Sequence, residues 1–247
     1  MTSRVRVLGV IPARLNSTRL PRKVLRLICG KPMVQHVYER ARLCRALDQL
    51  VVATDADEVA AACRRAAIPV EMTSPHHASG SDRLFEVMGR RDAEIIVNIQ
   101  GDEPLLEPSH VDSLLRPFDQ PDVQVSTLRI VIDAAEAQNP NAVKVVCDAA
   151  GRALYFSRSV VPYDRDASGD IQYFKHLGFY AYRRDALQLF HRLPPSRLEQ
   201  AERLEQLRFL ENGVAIHVAD APVATVGVDT EDDLRRVEEI LRQRLAA

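Results

Sequence analysis

Between Val10 and Lys23 the chain reads V-I-P-A-R-L-N-S-T-R-L-P-R-K, setting Arg14, Arg19, Arg22 and Lys23 beside the short hydrogen-bonding side chains of Asn16, Ser17 and Thr18. Cations packed this closely answer to a polyanion, because charge-assisted bonds to phosphate oxygens are among the strong ones. A second group, Gln100-Gly101-Asp102-Glu103-Pro104, frees a carboxylate at a glycine turn after a nearly unbroken apolar run. A third, Gly227-Val228-Asp229-Thr230, puts another carboxylate at a strand-to-helix junction. Either acid alone reads as readily as a cap on backbone N–H groups. Together with the cationic loop they describe a Mg2+–triphosphate site, since Mg2+ takes one or two carboxylates plus substrate phosphates.

Two further groups have simpler readings. Ser79-Gly80-Ser81-Asp82-Arg83 is a small turn opening a helix, with an Arg suited to a carboxylate or phosphate ligand. Taken alone it reads better as an Arg paired on a solvated face. Asp55-Ala56-Asp57 reads as a helix cap.

The elements that must position these groups alternate. Apolar residues from Val5 to Ile11 form a first strand that delivers the cationic loop to its carboxyl end, where ligands bind in open α/β sheets. Helical spacing runs from Pro32 to about Ala46. A strand over Leu50–Ala53 follows, then a helix to about Ala67 capped by Thr54 or Asp55. A short strand over Pro69–Met72, a helix over Ser81–Arg90 and a buried strand over Ile95–Ile99 complete the first half. This rhythm predicts an α/β fold with a doubly wound, mostly parallel sheet. The second half has strand-like runs at 123–132, 143–147, 153–157 and 177–182, which predict an antiparallel insertion. Helices over Asp185–His191 and Leu198–Leu210, strands over 214–218 and 223–226, and a last helix from Asp229-Thr230 complete the chain. Thr230 and Asp233 stand at capping-box spacing. A single domain over 1–247 is expected, with the antiparallel region at about 123–183.

Composition narrows the chemistry. The net charge of −1 gives no bulk field for nucleic acid. Only four of the 33 basic residues are lysines (Lys23, Lys31, Lys144 and Lys175), which marks them as candidates for positions needing a compact ammonium; surface accidents are the alternative. The four cysteines lack metal-ligand spacing and read as reduced thiols in a cytoplasm. The first apolar run stops at Pro12, too short for a signal peptide or membrane span. None of the ten glycines forms GxG, and GxxxxGK[ST], HExxH and GxSxG are missing, which argues against nicotinamide redox, P-loop hydrolysis and serine hydrolysis.

The chain resembles the 3-deoxy-manno-octulosonate (Kdo) cytidylyltransferases, the CMP-Kdo synthetases of Gram-negative lipopolysaccharide synthesis. The resemblance rests on I-P-A-R-L-N-S-T-R-L-P-R-K, I-V-N-I-Q-G-D-E-P, N-P-N-A-V-K-V-V, H-L-G-F-Y-A-Y-R, L-E-Q-L-R-F-L and G-V-D-T-E-D-D-L, in family order over nearly the whole chain. It implies a nucleotide-diphospho-sugar transferase-like fold and the transfer of CMP from CTP to Kdo. Arg14, Arg19 and Lys23 would hold the CTP triphosphate, with Ser17 supporting the loop, and Lys23, Arg19 and Asp102 would act in catalysis. Asp102 and Asp229 would bind Mg2+. Arg83, Gln100, His176, Tyr180, Glu205 and Gln206 would line the Kdo pocket. The family's homodimer contact is expected around 155–173. Where the family has S-G-T-E-R this chain has Ser81 and Asp82, and Arg22 stands where Gly is frequent. A cytidylyltransferase for another acidic sugar (8-amino-Kdo or a sialic acid) and a non-catalytic nucleotide-binding module are the rival readings.

Overall fold

The computed structural model describes residues 6–15, 19–77 and 79–246. The chain forms two compact units, one from the residues up to Asp112 together with those from Ala224 onward, the other from Ser113–Val223.

The first unit begins with β1 (Val7–Pro12), five of whose six residues are buried. Its run of apolar side chains suits a strand covered on both faces. A hairpin of β2 (Leu27–Ile28) and β3 (Lys31–Pro32) follows, closed by Cys29 and Gly30 with φ of 47° and 80°. Two positive φ values define the turn that matches the natural twist of a hairpin. Its strands are too short to announce themselves by periodicity. Next is α1 (Met33–Ala41), which buries Met33, Val34, Val37, Tyr38 and Ala41. It stops short of the expected Ala46, and the residues after it close as tight turns.

Then come β4 (Gln49–Thr54), α2 (Asp57–Arg65), β5 (Val70–Met72), α3 (Gly80–Gly89), β6 (Ile95–Asn98) and α4 (Pro108–Leu115). Strands β6, β1, β4 and β5 lie side by side and all parallel, with Val10 opposite both Val51 and Asn98. The alternation of strand and helix is thus borne out. One cap is not: neither Thr54 nor Asp55 caps α2, whose N-cap is Ala56. Thr54 Oγ1 instead accepts from the Ala56 N–H at 3.2 Å, and Asp55 is committed elsewhere. Acids in the first turn of α2 and arginines in its last complement the helix dipole without a side-chain cap.

The second unit holds β7 (Val125–Ile132), α5 (Ala134–Ala137), β8 (Lys144–Cys147), β9 (Ala153–Ser157), β10 (Tyr173–Arg183), α6 (Arg184–Arg192), α7 (Arg197–Glu202), α8 (Leu207–Glu211) and β11 (Ile216–Asp220). Antiparallel pairs β7–β10 and β8–β9 dominate, and β11 joins β7 in parallel. The long helix expected over Leu198–Leu210 is two short ones. Arg203 between them adopts φ 56°, ψ 47°, which ends α7. The buried Glu199 ties the pieces together: it accepts from the Ser196 N–H at 3.0 Å and from Arg208 Nε of α8 at 2.7 Å. The strand expected at 223–226 does not form, because Thr225 Oγ1 and the Val228 N–H bond to Glu103 and Asp102 rather than to a ladder.

The chain returns to the first unit for α9 (Glu231–Ala246). Its capping box forms as the spacing predicts, with Thr230 Oγ1 accepting from the Asp233 N–H at 3.2 Å and Asp233 accepting from the Thr230 N–H at 2.9 Å. Leu234, Val237 and Leu241 of α9 pack with Leu20, Ile28, Met33, Leu105 and Val228 in one apolar cluster. Among the described residues no helix is long and apolar enough to cross a membrane.

Candidate active site

Four of the predicted residues, Arg19, Lys23, Asp102 and Asp229, converge in the first unit. Lys23 opens a single 3-10 turn (Lys23–Leu25) after the cationic loop, and its Nζ lies 2.5 Å from Asp102 Oδ2 and 2.9 Å from Asp229 Oδ1. Arg19 takes the other oxygen of Asp229 at 2.9 Å. The elements explain this meeting of residues up to 206 positions apart. Gly101 follows β6 so closely against β1 that a Cβ there would come within 2.7 Å of the Pro12 carbonyl oxygen, so only glycine lets the Asp102 turn sit beside the start of the loop. Asp229 is brought in by the Val228 N–H, which donates to the Asp102 carbonyl at 2.9 Å, and by Thr225 Oγ1, which donates to Glu103 Oε2 at 2.7 Å. The apolar cluster under α9 holds Val228 in place.

The electrostatics follow from the geometry. Only 12% of the Lys23 side chain is exposed. Burial alone would push its pKa down, but the Asp102 carboxylate, and after it the hydrogen bonds to both acids, outweigh that and hold the ammonium above the ordinary lysine value. Two convergent carboxylates are hard oxygen donors of the kind Mg2+ prefers, and they already compensate a cation. The donor set therefore fits the metal, with Lys23 standing as the cation between the two acids. Among the described residues no three His, Cys, Asp or Glu side chains are grouped to hold a metal.

The rest of the loop is more open. Arg14 is exposed. Ser17, with Asn16 and Thr18, lies outside the described residues. Arg22 adopts the left-handed conformation, φ 57° and ψ 30°, and its guanidinium pairs with Glu58 of α2. That backbone conformation accounts for the frequent glycine at this position. Of the four lysines, Lys31 and Lys175 form surface pairs with Glu39 and Glu136. Lys144 is fully buried and donates to the carbonyls of Asn139 at 3.0 Å and Arg158 at 2.7 Å.

Arg83 is not on a solvated face. It is 3% exposed, with NH2 2.9 Å from Asp55 Oδ2 and NH1 2.5 Å from Thr73 Oγ1. The Asp55 expected to cap α2 is its counterion. Gln100 is half-buried in the turn between β6 and Asp102. Nearby in sequence, Asn98 ends β6 with its Oδ1 buried and without a hydrogen-bond partner.

The remaining predicted residues lie in the second unit, on β10 and around the start of α8. His176 Nε2 is 2.9 Å from Thr127 Oγ1, and its ring lies edge-on to Phe156 and 5.3 Å from the ring of Tyr180. Desolvation pushes the imidazole down to about 3, so it is neutral at ordinary pH. Burial also raises the Tyr180 phenol well above its usual value, and its Oη is buried without a hydrogen-bond partner. Gln206 Nε2 is likewise buried without one, while Glu205 beside it is half-buried. Nothing in the sequence marks Thr127 or Asn98, since each reads as an ordinary strand residue.

Comparison with known proteins identifies the relatives of the chain. The cytidylyltransferase family model matches residues 8–216. The chain is 60% identical over 242 residues to the 3-deoxy-manno-octulosonate cytidylyltransferase of Acidobacterium capsulatum, covering 98% of this chain and 99% of that one. It is 55% identical to the protein of the same name from Koribacter versatilis, covering 98% and 93%. Among solved structures it is similar to a CMP:2-keto-3-deoxy-manno-octonic acid synthetase complexed with CTP, with a TM-score of 0.93, 47% identity and 97% and 99% of the two chains covered.

Proposed function

The chain belongs to the 3-deoxy-manno-octulosonate cytidylyltransferase family, and we propose on that premise that it joins CTP and Kdo to give CMP-Kdo and pyrophosphate. The observation that carries the residue roles is the Lys23–Asp102–Asp229 cluster, where a loop cation and both predicted acids meet. In the reaction the anomeric hydroxyl oxygen of Kdo attacks the α-phosphorus of CTP, the bond to the β-phosphate oxygen breaks and pyrophosphate leaves. Such transfers depend on positioning and charge neutralisation more than on covalent chemistry by the protein.

Lys23 and Arg19 stabilise the charge that develops on the phosphates, and Arg14 adds a third cation to the triphosphate. Asp102 and Asp229 would hold Mg2+, which when bound supplies charge neutralisation at the phosphates and a lowered pKa for the attacking hydroxyl. No side chain in the cluster is suited to be a general base. In the second unit, His176, Tyr180, Glu205 and Gln206 read the sugar, and the buried Tyr180 Oη and Gln206 Nε2, without hydrogen-bond partners in the protein, support that reading. Gln100 and Arg83 belong to the same reading in the first unit, with Arg83 oriented by Asp55.

A homodimer goes with this reading. Tyr163 is 81% and Leu154 62% exposed, and large apolar side chains left in water favour a partner surface. Four free cysteines suit a reducing cytoplasm, and CMP-Kdo made there would feed lipopolysaccharide synthesis. The experiment is pyrophosphate release from CTP, Mg2+ and Kdo, with omission of each in turn. Release that needs all three supports the assignment, whereas release indifferent to Kdo refutes it.

A further inference from the structure

Gln206 ends a turn that the local sequence gives no reason to form. The stretch from Arg197 to Glu211 is made almost wholly of good helix formers, yet Arg203 adopts φ 56° and ψ 47° between α7 and α8. A residue with a Cβ holds that conformation only where its surroundings impose it, and such sites gather at ligand clamps.

Both sides of the turn are fastened by charged side chains. On the entry side, Glu202 at the end of α7 accepts from the Ser157 hydroxyl at 2.7 Å and the Arg158 N–H at 2.9 Å. Its backbone carbonyl accepts from Arg158 Nε at 2.8 Å, so the turn starts from a fixed point at the end of β9. On the exit side, Arg208 of α8 meets Glu199 with two donors, Nε at 2.7 Å and Nη2 at 2.5 Å. Its Nη1 reaches the carbonyls of Leu193 at 3.3 Å and Phe190 at 3.4 Å at the end of α6. The guanidinium also lies 4.1 Å from the centre of the Phe190 ring. A planar fork can serve a carboxylate, two carbonyls and an aromatic face at once; an ammonium cannot.

The main chain carries this restraint to Gln206. The Leu204 N–H donates to the Glu199 carbonyl at 3.2 Å, and the Phe209 N–H to the Gln206 carbonyl at 3.1 Å. Phe209 packs on Phe190 and on Tyr182, which stacks on Tyr180 of the same proposed sugar site. Gln206 is 8% exposed and its Nε2 has no hydrogen-bond partner in the protein, so the backbone of the turn decides where that amide points.

We propose that Glu202 and Arg208 are positioning residues for recognition of the acidic sugar, fixing from either side the left-handed turn that aims Gln206. The inference rests on the reading that Gln206 faces the sugar. Loosening either clamp then costs sugar affinity and spares the chemistry at the phosphates, which belongs to residues of the first unit.

The test is steady-state kinetics of the full-length enzyme, with folding checked by circular dichroism. Arg208→Lys keeps the charge and loses the fork, and Glu202→Ala frees the end of β9. Each should raise KM for Kdo about tenfold, the effect of one lost hydrogen bond, with KM for CTP and kcat within about twofold. Combined with Gln206→Ala, neither should add more than about twofold, because residues acting through one group are not additive. Should Arg208→Lys fail to fold, Glu202→Ala, which vacates only a half-buried contact, decides alone. A folded variant of either residue with wild-type KM for Kdo overturns the inference. So does a loss shared equally by KM for CTP and kcat, or a double variant in which the effects multiply. Gln206→Ala with unchanged KM for Kdo overturns instead the reading that Gln206 faces the sugar.

Discussion

Lys23 donates to Asp102 at 2.5 Å, joining the end of the cationic loop to the turn after β6 across 79 residues of sequence. The same ammonium reaches Asp229, so one cation balances the two acids assigned to the metal.

If Asp102 and Asp229 hold the metal as proposed, Lys23 and a divalent ion compete for the same carboxylates. Lys23→Ala should lower kcat at least about a hundredfold, since it removes charge stabilisation that matters most as the phosphates react. In the nucleotide-free protein it should also tighten Mn2+ binding, by about tenfold in an electron-spin titration, because the acids lose their internal counterion. Unchanged Mn2+ affinity would argue that the acids do not bind metal there.

Replacing the other partner tests the metal reading from its own side. Asp102→Asn removes a charge and little volume, and Lys23 keeps Asp229 as a partner. The fold should survive with at most about 1 kcal/mol lost, while pyrophosphate release falls about a thousandfold. Turnover near the wild-type rate would refute Asp102 as a metal ligand.

Arg83 gives a prediction on stability as well as on binding. Its side chain is 4% exposed and that of Asp55 is 21%, so the pair is largely withdrawn from water. Truncation strands the Asp55 carboxylate and the Thr73 hydroxyl, and Arg83→Ala should cost about 2–4 kcal/mol in urea unfolding. If Arg83 also orients the sugar carboxylate, KM for Kdo will rise while KM for CTP holds. A stable variant with normal KM would remove Arg83 from both roles.

These outcomes bear on what the sequence could reveal. β1 and β6 were legible because their apolar runs admit one interpretation, and so was the loop between β1 and Lys23, whose charges have no packing purpose. Asp102 and Asp229 were legible as turn carboxylates, but their convergence depends on Thr225, Val228 and the cluster under α9, which no local pattern encodes. The break at Arg203 was hidden because arginine favours helices, while its left-handed backbone and the Glu199–Arg208 pair that ties the two segments together appear only in three dimensions. Asp55 looked like a cap by position; its partner, 28 residues away, could be found only in three dimensions. Thr127 was hidden for a similar reason, since its hydroxyl acts on an irregularity in a neighbouring strand.

Arg22 carries a cost that a small change should relieve. A non-glycine residue at φ 57° is disfavoured by roughly 1–2 kcal/mol, and its exposed pair with Glu58 returns no more than about 0.5 kcal/mol. Arg22→Gly should therefore raise Tm by about 2–4 °C in calorimetry. A lower Tm would mean that the ion pair, not the backbone, decides stability at this position.

The last prediction concerns acid. His176 has its pKa pushed down from 6.5 to about 3 by burial, so between those values the unfolded chain holds a proton that the folded chain does not. Stability therefore rises with pH across that window; the contribution is complete above 6.5 and is lost progressively as pH falls towards 3. At pH 5 the loss from this one group should be about 2 kcal/mol relative to neutral pH. Other groups titrate in the same range, so the comparison must be with His176→Gln, which carries no titrating ring. Urea unfolding at pH 7 and pH 5 should show a smaller drop for the variant than for the wild type, by about that amount. Equal drops would mean that the imidazole is reached by water and protonates in place.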